Sequence, residues 1–357
     1  MTMPKKSEPL SSVQAEQLLI GLVEHDSPSR EEEPAVTYLV EQMETLGFRA
    51  RVDEAGNAVG ELGDGDEAVL LLGHIDTVPG QIPVHGSGRL LYGRGSVDAK
   101  GSLASFVVAA ANAREACTRR IIVVGAVEEE AATSKGARHL LDHLPPPSAV
   151  VIGEPSGWDH LTIGYKGRLL VDYRLALPVG HTAGPVQSVC ERAVGFWQQV
   201  VAYAQQWNQG RQRMFEQILP SLRAINTDSD GFTERVEATI GLRLPPEIDI
   251  DLLKQQLARW AGDAQLSCRG QEAAFRASRS TPLARAFIKA IRAEGGQAHF
   301  QVKSGTSDMN VVGPTWQCPI LAYGPGDAAL DHTPHEHLDL DEYQRAIRVM
   351  TSVLADL

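Results

Sequence analysis

The 357-residue chain holds only four cysteines, Cys117, Cys190, Cys268 and Cys318, and none stands in a C-x-x-C pair. That spacing points away from a disulfide framework and from thiolate metal ligation, and it predicts reduced, buried thiols in a cytoplasmic protein. Positive charge is also short: 33 Lys and Arg face 45 Asp and Glu, for a formal net charge of −12. No basic stripe is available to neutralise phosphates, which argues against a nucleic-acid partner. No apolar run approaches the ~18 residues of a membrane span. The opening residues, Met1-Thr-Met-Pro-Lys-Lys-Ser-Glu8, lack an apolar signal core. A soluble, internal protein is expected, with no membrane partner. No fixed repeat period suggests a solenoid, and Pro145-Pro-Pro147 is the one low-complexity spot, a stiff connection into the strand that follows.

What the chain does have is a recurring pairing of apolar run and acid or imidazole. The run 68–73 reads as a buried strand, and His74 and Asp76 follow at its end. Residues i and i+2 of an extended segment project to the same side. His74 is therefore placed to ligate a cation while the Asp76 carboxylate accepts its other ring hydrogen. In Gly93-Arg-Gly-Ser-Val-Asp98-Ala-Lys-Gly-Ser102 one carboxylate lies between glycine turns, just before the helix expected over Leu103–Ala113. Such a carboxylate can bridge two cations about 3.5 to 4 Å apart. As a helix cap, Asp98 is less suited than Ser102.

The run 121–127 is a second buried strand, ending in Glu128-Glu129-Glu130. Adjacent carboxylates raise one another's pKa unless a cation or solvent relieves them. Neighbouring side chains diverge on an extended chain, so one glutamate can bind metal while the next acts as general base. The segment 148–153 repeats the plan and ends in Glu154-Pro155, and far downstream Asp331-His332-Thr-Pro-His335-Glu336-His337 brings three histidines into six residues. Taken singly, each of these motifs also reads as a strand cap, an acidic loop or a solvated histidine. Together, His74, Asp98, one glutamate of the triplet, Glu154 and one of the three downstream histidines make a nitrogen and oxygen donor set that suits Zn²⁺, with Co²⁺ or Mn²⁺ as alternatives. Such a centre lowers the pKa of bound water towards about 7, and a nearby glutamate then carries its proton to a leaving amine.

These strings resemble those of the M20 family of co-catalytic metallopeptidases and amidohydrolases, and the resemblance covers nearly the whole chain. Gly73-His-Ile-Asp-Thr-Val-Pro79 is similar to the family's first motif and implies His74 as ligand and Asp76 as its orienting partner. The Asp98 segment implies the bridging ligand. The family's Glu-Glu pair supplies a base and then a ligand; counted back from Gly136 these are Glu129 and Glu130, with Glu128-Glu129 as the other register. Glu154 and His332 complete the implied ligands of two divalent metal ions. Lys303-Ser-Gly305-Thr306-Ser-Asp308 resembles a loop that lines the substrate pocket.

The resemblance implies an α/β catalytic domain from residues 1–164 and 276–357, with a central, mostly parallel sheet flanked by helices. Between them, residues 165–275 read as an inserted α+β (βαββαβ) lid and dimerisation domain. The expected elements there are a strand from Leu161 to Ala176, a helix from Val186 to Trp207, strands 219–226 and 235–244, a helix 250–260 and a strand 264–275. The implied substrate residues are His181 for the scissile carbonyl oxygen, with Asn226, Arg243, Gly305 and Thr306. Arg243 reads equally as a strand residue paired at the surface.

Within the family, the segments around Glu129, Lys166 and His181 look most similar to a branch that releases lysine or ornithine from a small acidic amino-group carrier protein in lysine and arginine biosynthesis. Acetylornithine, acetyllysine or succinyl-diaminopimelate deacylases and dipeptidases are the alternatives, and a non-catalytic zinc protein is a third class. An acidic carrier meeting an acidic enzyme needs local basic patches, for which Arg211 with Arg213, or Lys166 with Arg168, are the candidates. A homodimer is implied by the lid alone.

Overall fold

A computed structural model describes residues 9–181, 184 and 186–357. Met1–Glu8, and with them the segment read for a signal core, lie outside the described residues, as do Thr182, Ala183 and Pro185 next to His181. The chain divides into two compact units. The first runs to Gly164 and resumes over Ala277–Gln301 and Val311–Leu357; the second holds Tyr165–Arg276 and Val302–Asn310. Gly305 and Thr306 thus group with the second unit.

The first unit begins with α1 (Ser12–Glu24), α2 (Glu33–Thr45), β1 (Arg49–Val52), β2 (Ala58–Leu62) and β3 (Ala68–His74). Then come β4 (His85–Ser87), β5 (Leu90–Tyr92), α3 (Lys100–Ala113), β6 (Arg120–Ala126), α4 (Lys135–His143), β7 (Ala149–Gly153) and β8 (His160–Tyr165). The second unit contains β9 (Gly167–Pro178), α5 (Val189–Asn208), β10 (Leu219–Ser229), β11 (Thr233–Leu244), α6 (Ile250–Ala261), β12 (Gln265–Glu272) and β13 (Phe275–Arg276). The chain continues through α7 (Pro282–Ala293), β14 (His299–Lys303), α8 (Asp308–Trp316), β15 (Ile320–Tyr323), β16 (His337–Asp339) and α9 (Leu340–Asp356), and the boundary between the units falls within β14 and α8.

In the first unit the strand order β1-β2-β6-β3-β7-β15-β8 gives a mostly parallel sheet. Strands β6, β3, β7 and β15 run parallel, while β1, β2 and β8 pair antiparallel at the two sides. The near-continuous apolar runs of β3, β6 and β7 are buried on both faces, as strands covered by helices on either side must be. Helix α3 is apolar almost all round and buried along its length, packed against α1 and α9. It starts at Lys100 with Ala99 as its cap residue and no side-chain cap bond, so neither Asp98 nor Ser102 caps it. Ser102 lies inside the helix, fully buried.

The second unit is a β-α-β-β-α-β arrangement whose antiparallel sheet has the order β10-β11-β9-β12. Its core joins Tyr173, Phe196, Val200, Ile240, Leu253 and Leu257, which come from β9, β11, α5 and α6. The single strand expected over 161–176 is two, broken at Lys166. At the break, a Cβ on Gly167 would lie 2.5 Å from the Glu272 carbonyl oxygen, so only glycine lets β9 start this close to the end of β12. The expectation of buried thiols is corrected: all four cysteines are free, with Cys190 and Cys268 exposed and Cys117 and Cys318 half-buried. No described helix is long and apolar enough to cross a membrane.

Candidate metal centre and active site

Register in the parallel sheet brings the acids together. His74 pairs with Ala126 across β3 and β6, and Gly73 with Gly153 across β3 and β7, so three strands end level. The carboxyl ends of such strands are where an open α/β sheet places its ligands. His74 closes β3, the 128–130 turn follows β6 and Glu154 follows β7. His332 arrives from the segment between β15 and β16.

Asp98 is the hub. Its Oδ1 lies 3.2 Å from His74 Nε2 and its Oδ2 lies 3.0 Å from His332 Nε2, while His332 Nε2 is also 2.7 Å from Glu130 Oε1. Two donor groups result, His74-Asp98-Glu154 and Asp98-Glu130-His332, each with one ligand atom per residue within 4.8 Å of the others. They share Asp98 alone. A third group, His74-Glu129-Glu130, overlaps both. One carboxylate with each oxygen turned to a different imidazole, and further carboxylates on either side, is the donor arrangement that two adjacent divalent cations require.

The electrostatics ask for the same positive charge. Burial opposes protonation of His74, yet the nearby Asp76 and Asp98 carboxylates hold its pKa well above the ordinary histidine value. His332 is pushed up to about 10 by its bonds to Asp98 and then Glu130. Burial pushes the Glu130 carboxyl up, and the Asp98 charge adds to this. Burial also works to raise Asp98, but His332 and His74 hold it far below the usual carboxylate range. Imidazolium is here the counter-charge to packed carboxylates, a place a divalent cation fills with two charges instead of one. The residues present fit a pair of such ions.

The role expected of Asp76 needs correcting in its detail. His74 Nδ1 lies 2.9 Å from the Asp76 backbone carbonyl, whereas the Asp76 carboxylate is 3.6 Å away. A carbonyl only accepts, so Nδ1 carries the hydrogen and Nε2 is left to face Asp98. The carboxylate is engaged elsewhere: Oδ1 accepts the Glu129 amide, and Oδ2 accepts the Glu130 amide and the Ser29 hydroxyl, at 2.6–3.0 Å. Asp76 thus fixes the glutamate turn with its side chain and the imidazole with its backbone.

Within that turn the three glutamates have different surroundings. Glu128 has a left-handed φ of 56°, and its carboxylate accepts the Thr133 hydroxyl at 2.7 Å and pairs with Arg30 and Lys135 at 3.7 and 3.9 Å. It is held away from the donor groups, in which Glu129 and Glu130 both take part. The non-glycine residues Glu128 and His332, at φ 62°, bracket the centre with strained backbone, the kind of cost that persists where surrounding contacts over-determine the conformation.

Several supporting residues carry no role in the sequence reading. Buried Glu336 accepts the Val97 and Asp98 amides at 3.0 and 3.1 Å and pairs with Arg94 at 2.8 Å, so it sets the backbone that presents Asp98. It stands in the quoted Asp331–Glu336 string, so its position was visible though its task was not. Asn57 donates to the Gly136 carbonyl and accepts the Val127 amide, tying the glutamate strand to α4. A Cβ on Gly136 would sit 2.3 Å from Asn57 Oδ1. Nothing in the sequence around Asn57 signals this. Lys100, pushed down to about 8 by burial, donates to the His25 carbonyl at 2.6 Å. Of the other two histidines near His332, His335 is exposed, and His337 lies in β16 against Tyr92 of β5.

The remaining candidates lie in the second unit. Arg243 on β11 donates to Thr306 Oγ1 at 2.7 Å, and Thr306 in turn donates to the Lys166 carbonyl at 3.0 Å, with Gly305 adjacent. Asn226 is exposed on β10 opposite Glu237, and His181 is exposed with its carbonyl bonded by the Gly184 amide. Lys166 does not form a basic surface patch. It is fully buried, and its ammonium donates to the carbonyls of Met214, Phe215 and Gln217. Arg168 donates to the Gly270 carbonyl, and Arg211 lies over the Trp207 ring. Arg213 is the more open, with 77 % of its side chain exposed.

Residues 70–356 match the model of peptidase family M20/M25/M40. The chain belongs to that family. It is accordingly a hydrolase acting on an amide bond. Among curated proteins it is 46 % identical to a LysW-lysine hydrolase of Deinococcus radiodurans, over 96 % of this chain and 97 % of that protein. It is 38 % identical to a protein of Thermococcus kodakarensis described as a LysW-lysine/LysW-ornithine hydrolase, over 98 % and 93 %. The same fold occurs in an M20 family metallo-carboxypeptidase from Sulfolobus solfataricus, with a TM-score of 0.79 at 18 % identity, covering 96 % of this chain and 98 % of that one. It also occurs in a dinuclear metal-binding M20 peptidase from Bacillus subtilis, with a TM-score of 0.66 at 14 % identity, covering 96 % and 97 %.

Proposed function

We propose that this M20 enzyme hydrolyses the amide joining L-lysine or L-ornithine to a glutamyl side chain of a small acidic carrier protein, and so releases the free amino acid in lysine or arginine biosynthesis. The observation that carries this reading is the 46 % identity, over nearly the full length of both chains, to a LysW-lysine hydrolase. His74, Asp98, Glu130, Glu154 and His332 would hold two divalent ions, Zn²⁺ first by donor chemistry, with Co²⁺ or Mn²⁺ as alternatives. When bound, the ions would supply Lewis-acid activation of water and neutralise charge that develops on the carbonyl oxygen.

The chain's own residues would do the rest. Glu129 takes a proton from water and returns it to the departing amine, and its backbone is fixed for that task by the Asp76 carboxylate. Asp76 also fixes the His74 tautomer through its carbonyl. In the second unit Arg243, Thr306 and Gly305 form one bonded group suited to a carboxylate or carbonyl of the substrate. His181 is assigned to the scissile carbonyl and Asn226 to the substrate backbone. Of the four basic candidates, Arg213 is the one exposed to an acidic carrier. The exposed edge strand β10 supports a homodimer built on this unit.

The test is release of free lysine and ornithine from carrier-linked substrate, measured beside N-acetyllysine, N-acetylornithine and succinyl-diaminopimelate. Carrier-linked lysine or ornithine should be turned over with the highest kcat/KM. Equal or faster turnover of a free acylated amino acid would replace the proposal with a deacylase.

A further inference from the structure

A second cluster of metal-binding side chains lies in the first unit and takes no part in the centre described above. His139 and His143 stand four residues apart on α4, and Glu54 projects from the turn between β1 and β2. Each of the three can present a ligand atom within 4.8 Å of the others. Residues i and i+4 share one helix face, and the two imidazole rings lie 3.8 Å apart and 19° from parallel.

The His143 tautomer is set by a neighbouring group. His143 Nδ1 lies 2.8 Å from the His139 carbonyl, which only accepts, so Nδ1 carries the hydrogen and Nε2 keeps its lone pair for a cation. His139 Nε2 lies 3.7 Å from Asp53 Oδ2, beyond hydrogen-bond reach, so Asp53 offers that ring negative charge rather than a fixed tautomer. Asp53 is itself held by the amides of Ala55 and Asn57 and by the Asn57 side chain, at 2.8–2.9 Å. The carbonyl behind His143 is a support of the kind that orients metal-binding histidines, and the Asp53 charge beside His139 favours a cation there.

We propose that Glu54, His139 and His143 form a peripheral site for one borderline transition-metal ion of the Zn²⁺, Ni²⁺ or Cu²⁺ class. Two imidazoles and a carboxylate match that class, and exposure of His143 and Glu54 leaves room for water in the remaining positions. The ion would clamp the last turn of α4 to the β1–β2 turn. Both elements are already tied through Asn57 to the end of β6, where Val127 and Gly136 are bonded to each other. The peripheral ion therefore stiffens the support of the glutamate turn and leaves the reacting groups untouched.

The experiment uses the full chain without a histidine tag, stripped by chelation, then dialysed against Zn²⁺ and in parallel Ni²⁺. Bound metal is counted by elemental analysis, and thermal unfolding is followed at each concentration. The wild type should bind one equivalent more than His143→Ala, with a further metal-dependent rise in Tm beyond the rise that the variant keeps from its catalytic centre. Glu54→Gln should bind that equivalent at least about tenfold more weakly. Turnover at saturating metal should stay the same in all three. Equal metal counts and equal Tm shifts in wild type, His143→Ala and Glu54→Gln would overturn the peripheral site and leave the catalytic proposal standing.

Discussion

The two units carry their polar residues in different ways. In the first, His74, Asp76, Asp98 and Glu336 are all less than a tenth exposed, and nearly every oxygen of the two aspartates has a named partner. In the second, β10 is exposed from Ser221 to Ser229, and Asn226 stands on it. A buried polar constellation is costly unless each member is satisfied, so it is over-determined and holds one geometry. An exposed strand face is satisfied by water and can change its residues cheaply. Under the proposed function, chemistry falls to the first unit and discrimination between substrates to the second.

Substitutions test that division. The largest effect is expected from Asp98→Ala, which removes the residue shared by both donor groups: turnover should vanish and bound metal should fall, as read by elemental analysis. Glu129→Gln should lower kcat by about 10² to 10⁴ with metal content kept, while Glu128→Gln stays within a few-fold. A dead Glu128→Gln beside an active Glu129→Gln would transfer the base to the other register. Glu336→Gln, which touches no proposed ligand side chain, should weaken metal binding by about 10- to 100-fold through the backbone at Asp98.

In the second unit Arg243→Ala should act on KM more than on kcat, by an amount on the order of tenfold. If that variant lost metal, or Glu336→Gln changed KM alone, the division would fail. The smallest effect concerns Lys166, the second unit's own buried charge, which burial pushes down to about 8, opposed by Glu247 and reinforced by Arg243. The free chain binds this proton up to about pH 10.5, so between pH 8 and 10.5 the unfolded state holds more protons than the folded one. Stability therefore rises with pH in that window, with a slope of at most about 1.4 kcal/mol per pH unit. Lys166→Met should lower the measured slope by that share, leaving the share of Lys100, in denaturant melts taken at pH 8, 9 and 10.

Where residues are contiguous, the sequence reports the structure well. The buried runs 68–73, 121–127 and 148–153 appear as β3, β6 and β7, and the acids after them stand level because parallel register aligns the strand ends. The order β-α-β-β-α-β was legible for the same reason, since alternation and helical periodicity are local. What escaped depends on long-range packing. The break at Lys166 arises from the approach of β12 to Gly167, and the Asp76 carboxylate turns from His74 to amides more than fifty residues away. The place of Asn57 beside Gly136 is another contact between distant residues. The cysteines looked buried by residue type, but two of them sit on the exposed faces of α5 and β12.

The most direct test of the central claim is a metal titration of the stripped His143→Ala chain, with bound Zn²⁺ and release of lysine from the carrier-linked substrate measured at each step. Activity should be absent without metal and reach its plateau as the second equivalent binds. Full activity in the exhaustively chelated protein, or a plateau reached with no metal bound at His74, Asp98 and His332, would contradict the account.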